Sequence, residues 1–196
     1  MQLNSFFPTI LGNATYEKHN VIVADLVKHC FDVKRNVSPG GQGWLSNKTY
    51  NTSNGQYDIV KDLVFSELNN WVRQQVDSYC ENLSIDANCL RDNGAWFNIY
   101  AKYDFQETHV HPTSSISAIY ILACAEDGAR VFFNSPLNSM YHVKKTVKQQ
   151  EMVDQIICNS IPGTLIIFPS YLPHAVERHE SNEPRISLSY NYAHGQ

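Results

Sequence analysis

At about residue 88 the apolar pattern of this 196-residue chain changes its period, and few folds accommodate both halves. Before that point apolar side chains recur at threes and fours. Val21, Ile22, Leu26, Val27, Cys30 and Phe31 predict a one-sided amphipathic helix from Tyr16 to about Arg35. Ile59, Leu63, Val64, Leu68, Trp71, Val72, Val76, Tyr79 and Cys80 predict a second from about Asp58 to Leu83. Beyond it come short runs rich in aromatic and β-branched residues, punctuated by Gly, Pro, Asn and Asp: 95–103, 115–125, 129–134, 163–168, 174–178 and 185–192. The last alternates cleanly, which puts Arg185, Ser187, Ser189 and Asn191 on one face of a strand. Helices followed by a run of strands predict an α+β architecture. We expect one domain over 1–196, with an N-terminal arm and supporting helices over 1–87 and a jelly-roll core over 88–196.

The connecting segments are polar. Phe6-Phe7-Pro8 and Gly12-Asn13 make residues 1–14 an extended arm. Residues 36–56 carry the turn signals Pro39-Gly40-Gly41 and Asn54-Gly55 and read as a long loop, either irregular or, through Trp44 and Leu45, packed down as a lid. Residues 137–160 read as an inserted loop or short helix. With 15 basic against 19 acidic residues the net charge is −4, which lacks the basic stripe of a nucleic-acid surface and points to a small-molecule or peptide partner. Five scattered cysteines without a Cys-x-x-Cys suggest a reducing compartment. Without a leader pattern or a run of membrane-spanning length, the expectation is a soluble cytoplasmic protein with no membrane partner. A homodimer joined through the N-terminal helices is one expectation for the assembly.

Three histidines point to metal chemistry. Side chains at i and i+2 of an extended strand share a face, so His109 and His111 have the spacing to share an ion, and His174 could close the site from a neighbouring strand. Imidazole suits iron, zinc, copper and nickel alike. Downstream, Arg185 offers a planar fork suited to a carboxylate, and Ser187 adds a hydroxyl on the same face.

The run Asn98-Ile99-Tyr100, Glu107-Thr108-His109-Val110-His111-Pro112, Ser117-Ala118-Ile119-Tyr120, Gly163 through Phe168-Pro169-Ser170-Tyr171-Leu172-Pro173-His174, and Arg185-Ile186-Ser187 resembles the 2-oxoglutarate and Fe(II)-dependent oxygenases. The closest likeness is to their prolyl-hydroxylase-like branch found in marine bacteria and phages, and it spans roughly residues 95–192. The resemblance implies a double-stranded β-helix, a jelly-roll variant, binding Fe(II), 2-oxoglutarate as cosubstrate and O2. It implies His109 and His174 as ligands and Arg185 as the partner of the cosubstrate's far carboxylate, with Ser187, Tyr100 and Asn98 as further cofactor contacts. The implied reaction couples decarboxylation of 2-oxoglutarate to succinate with hydroxylation of a substrate C–H bond.

One position departs from the family pattern. Most members carry a carboxylate two residues after the first histidine, where this chain has His111. Three neutral imidazoles would leave the ion its full charge. We expect His109, His111 and His174 as the metal ligands, with Glu107 as the alternative if the strand is unbroken, and Asp104 as a further carboxylate within reach from a turn. Other readings stay open here: a cupin-like metal enzyme without 2-oxoglutarate, or a catalytically silent jelly-roll binding protein. Cupins carry a glutamate shortly after their histidine pair, and 112–116 contains none.

Overall fold

A computed structural model describes residues 8–40, 44–46, 48–53, 57–136 and 154–195. Its elements in chain order are strand β1 (Gly12–Thr15), helix α1 (His19–Asn36), strand β2 (Tyr50–Asn51), helix α2 (Ser66–Asn82) and strands β3 (Leu90–Tyr100), β4 (Gln106–His109), β5 (Ile116–Ala123), β6 (Val131–Asn134), β7 (Gln155–Cys158), β8 (Thr164–Pro169), β9 (His174–Val176) and β10 (Arg185–His194). The strands make two antiparallel sheets, one in the order β1-β8-β5-β10-β3-β2 and the other β4-β9-β6-β7. Two facing antiparallel sheets are the jelly roll that the alternating pattern predicts.

Alternation divides the core in two. Phe97, Ile99, Ala118, Tyr120, Leu165, Ile167 and Leu188 face outward from the six-stranded sheet and pack with Leu26, Cys30 and Val33 of α1 and Leu68, Val72 and Val76 of α2. Their neighbours in the strands, Ile119, Ile121, Ile166 and Phe168, face inward against Val131, Phe133 and Val176 of the four-stranded sheet. β5 is covered on both sides, so its apolar run is nearly unbroken.

The predicted helices hold with altered starts. Val21, assigned to the buried stripe of α1, is 78% exposed. Residues 58–65, read as the start of the second helix, instead form a turn and a single 3-10 turn. The Asp58 and Asp62 carboxylates accept from the backbone N–H groups of Val60 and Val64, bonds that compete with the helical ladder.

Three strands lie in segments read as arm, loop or insert. β1 lies in the supposed arm, where Gly12 lets the chain pass against the Tyr79 ring: a Cβ there would sit 2.7 Å from the ring. β2, in the predicted loop, pairs Tyr50 and Asn51 with Ile99 and Asn98. β7, in the supposed insert, pairs with β6. Phe6 and Phe7 of the arm, Gly41 and Asn54-Gly55 of the loop, and 137–153 of the insert lie outside the described residues. Among the described residues no helix is long and apolar enough to cross a membrane.

Candidate metal centre and anion pocket

His109 ends β4, His174 opens β9, and the two are register partners across the four-stranded sheet. His111 lies just past the end of β4, where its backbone N–H donates to the Ser170 carbonyl at 3.0 Å. One ring nitrogen from each of the three lies within 4.8 Å of the others. Each ring packs against an aromatic neighbour. Trp44 lies 5.3 Å from His109, Trp96 5.8 Å from His111 and Phe168 4.7 Å from His174, measured between centroids.

Hydrogen bonds decide which nitrogens remain free. His109 Nδ1 lies 2.8 Å from the Glu107 carbonyl and His174 Nδ1 2.9 Å from the Leu172 carbonyl. A carbonyl only accepts, so both rings carry their proton on Nδ1 and keep a lone pair on Nε2. Backbone acceptors of this kind orient metal-binding imidazoles. Burial, aided by repulsion from His109, pushes His111 down to about 4 and His174 to about 3. Both are therefore neutral near neutral pH, as ligation requires.

The alternative acids are engaged elsewhere. The β4–β9 register shifts between Gln106 and His109, so the strand is not the unbroken one that would align Glu107 with the histidines. The Glu107 carboxylate instead accepts from the backbone N–H groups of Leu45 and Ser46 at 2.6 and 3.2 Å. Burial raises its pKa, but the Ser46 hydroxyl together with backbone donors outweighs burial and holds it below the ordinary value. Asp104 accepts from the Ala101 N–H of its own turn.

A cavity of about 400 Å³ opens over the histidines and reaches between the sheets to Arg185. Arg185 is fully buried. Its Nε donates to the Ala129 carbonyl and Ser160 Oγ, and Nη1 to Ser187 Oγ, all at 3.1 Å. The guanidinium stacks over the Tyr100 ring at 4.9 Å. Nη2 has no hydrogen-bond partner among the described residues. A buried cation without a carboxylate among the described residues, and with one nitrogen unsatisfied, is costly unless an anion completes it. Asn98, bonded to Ser189 Oγ, also lines the cavity, as do Ser117, Ser189 and Asn191. Of the aromatic residues in the strands, Trp96, Tyr100, Phe168 and Tyr190 line the cavity, whereas Phe97 belongs to the core under the helices.

A family model of 2OG-Fe(II) oxygenases matches residues 94–191, half of the chain. The chain belongs to the 2OG-Fe(II) oxygenase family. As a member of that family it is an oxidoreductase whose chemistry draws on Fe(II), 2-oxoglutarate and O2. No curated protein matches the sequence. Among solved structures the chain is similar to a prolyl-4-hydroxylase from Pseudomonas putida, with 14% identity over 96% of this chain and 94% of that one and a TM-score of 0.65. It is also similar to a Trichoplax adhaerens prolyl hydroxylase solved with a hypoxia-inducible-factor peptide, with 12% identity, coverage of 94% and 83%, and a TM-score of 0.63. A third is HygX from Streptomyces hygroscopicus, solved with nickel, 2-oxoglutarate and hygromycin B, with 10% identity, coverage of 95% and 83%, and a TM-score of 0.59. At such identities the likeness is one of fold.

Trp44, Asn191 and Ser170 were not assigned to the site from sequence. The alternation of β10 does put Asn191 beside Arg185 and Ser187, and that was its one visible signal. Trp44 arrives from a loop and Ser170 from the end of β8, and no periodicity announces either.

Proposed function

We propose that the protein is a 2-oxoglutarate and Fe(II)-dependent hydroxylase in which His109, His111 and His174 hold the iron and Arg185 holds the far carboxylate of 2-oxoglutarate. The observation that carries this reading is the unpartnered Nη2 of a fully buried guanidinium in the same cavity as three neutral imidazoles. The donor set suits the group: three borderline imidazole nitrogens would hold a ferrous ion. Bound iron would activate O2 for the oxidation, with 2-oxoglutarate as the reductant that is converted to succinate and CO2.

The chain's own groups bind, orient and exclude water. The Glu107 and Leu172 carbonyls fix the protons of His109 and His174 on Nδ1, so that their Nε2 lone pairs would be available to the ion. Ser187 holds one arm of the Arg185 fork so that the other can meet a carboxylate. His174 is only 2% exposed, with Phe168 and Phe133 covering it. Toward the mouth the cavity is lined by Trp44, Trp96, Asn51, Asn93 and Gln106, with Asp58 as its acid and no lysine among the lining residues. Indoles and amides favour an uncharged substrate segment, presented by a peptide or a small molecule. The related folds holding a peptide or hygromycin B support both classes.

Anaerobic protein loaded with Fe(II) should develop a weak visible charge-transfer band when 2-oxoglutarate is added, and His174→Ala should abolish it. A wild-type spectrum that stays featureless at saturating cosubstrate overturns the proposal.

A further inference from the structure

The three imidazoles are not held alike. His109 and His174 each face a carbonyl through Nδ1, whereas His111 Nδ1 faces the side-chain amide of Asn191 at 3.2 Å. Asn191 is 8% exposed, and its other end is engaged as well: Oδ1 accepts from Ser117 Oγ at 2.8 Å. Ser117 in turn lies 2.8 Å from Ser170 Oγ, and both hydroxyls are buried. In this orientation the amide donates Nδ2–H to His111 Nδ1. A neutral ring has one proton, which must then sit on Nε2. His111 Nε2 lies 3.3 Å from His174 Nε2, whose own proton is committed to the Leu172 carbonyl. His111 Nε2–H therefore donates to the lone pair of His174.

We propose that Asn191 is a positioning residue that selects the tautomer of His111, so that His111 joins the metal site only when the amide turns its oxygen toward Nδ1. The inference rests on the three-histidine reading above. A half-turn of the amide brings Oδ1 to accept from Nδ1–H and Nδ2 to donate to Ser117 Oγ, whose proton then points to Ser170 Oγ. One proton leaves His111 Nε2 and one arrives at Nδ1, so the net charge of the site is unchanged by the exchange. Each hydroxyl in the chain donates or accepts with equal ease, so the reversal keeps Asn191, Ser117 and Ser170 paired and leaves lone pairs on His111 Nε2 and His174 Nε2 that an ion would join. The amide thus supports a closed pair of rings before metal uptake and a third ligand after it.

The experiment uses the full chain and Zn2+ as a redox-inert probe. Imidazole nitrogen shifts in the metal-free wild type should report His111 as the Nε2–H tautomer, with His109 and His174 as Nδ1–H. Asn191→Asp offers only acceptors, so His111 should change to Nδ1–H without metal and Zn2+ affinity should rise about tenfold, the low end of the range for groups that orient ligands. A metal-free wild type already showing His111 as Nδ1–H overturns the proposal, and this measurement decides even if the variant fails to fold. So does a folded Asn191→Asp with Zn2+ affinity within about twofold of wild type. His174→Ala separates the two claims: if it binds Zn2+ as well as wild type, the three-histidine site itself is wrong, whereas loss of binding there with an indifferent Asn191→Asp condemns the tautomer switch alone.

Discussion

Arg185 shows what one residue contributes through both charge and shape. Burial presses its pKa down, opposed by Tyr100 and Cys124, and the guanidinium remains a cation wanting an anion. A lysine there would keep the charge and lose the fork. We expect Arg185→Lys to weaken 2-oxoglutarate binding about 10- to 100-fold, the worth of one or two charge-assisted hydrogen bonds, as read by calorimetric titration of the metal-loaded protein. An unchanged titration removes the cosubstrate role. Arg185 and the histidines were legible in the sequence because their chemistry is uncommon and their spacing fits strands. Asn191 was legible only as a face: an amide takes its meaning from the atom opposite, and that atom lies eighty residues earlier in the chain.

Among the elements, the link between β4 and the 44–53 segment carries the most consequence for function. Glu107 holds the Leu45 and Ser46 N–H groups, the Phe105 carbonyl accepts from Thr49 Oγ1, and Trp44 comes to rest beside His109. We expect Glu107→Ala to leave Zn2+ affinity nearly unchanged while releasing Trp44, with a shift in tryptophan emission and a stability loss of about 1 kcal/mol in urea melts. A collapse of metal binding would instead restore Glu107 as a ligand. The regular elements were readable where periodicity ran for several turns, as in α1, or alternated over a full strand, as in β10. Two short elements were not: β2 spans two residues and exists only because β3 is there to pair with it, and β7 is an edge strand with exposed Ile156 and Ile157. The false start of the second helix has a local cause, since Asp58 and Asp62 cap turns rather than extend a helix.

For the molecule as a whole, the histidine cluster is also a store of pH-dependent stability. His111 and His174 have folded pKa values depressed from 6.5 to about 4 and about 3, so the unfolded chain takes up protons first as the pH falls. Their contribution is complete above about pH 6.5 and is lost progressively below it. At pH 5 each costs at most about 2 kcal/mol. Urea midpoints of the metal-free protein should therefore drop between pH 7.5 and pH 5, and a His111→Asn, His174→Asn double variant should flatten that slope; equal slopes would show that other groups carry the effect. The order of helices and strands, the inward face of β10 and the residue types capable of metal and carboxylate chemistry follow from the chain alone, because period and side-chain chemistry are local properties. Which imidazole keeps which proton, why Glu107 turns away and why a guanidinium is left with an open nitrogen depend on partners brought from distant strands and loops. Those outcomes belong to the folded protein, because a buried hydrogen bond is chosen by whatever the closed sheets leave within reach.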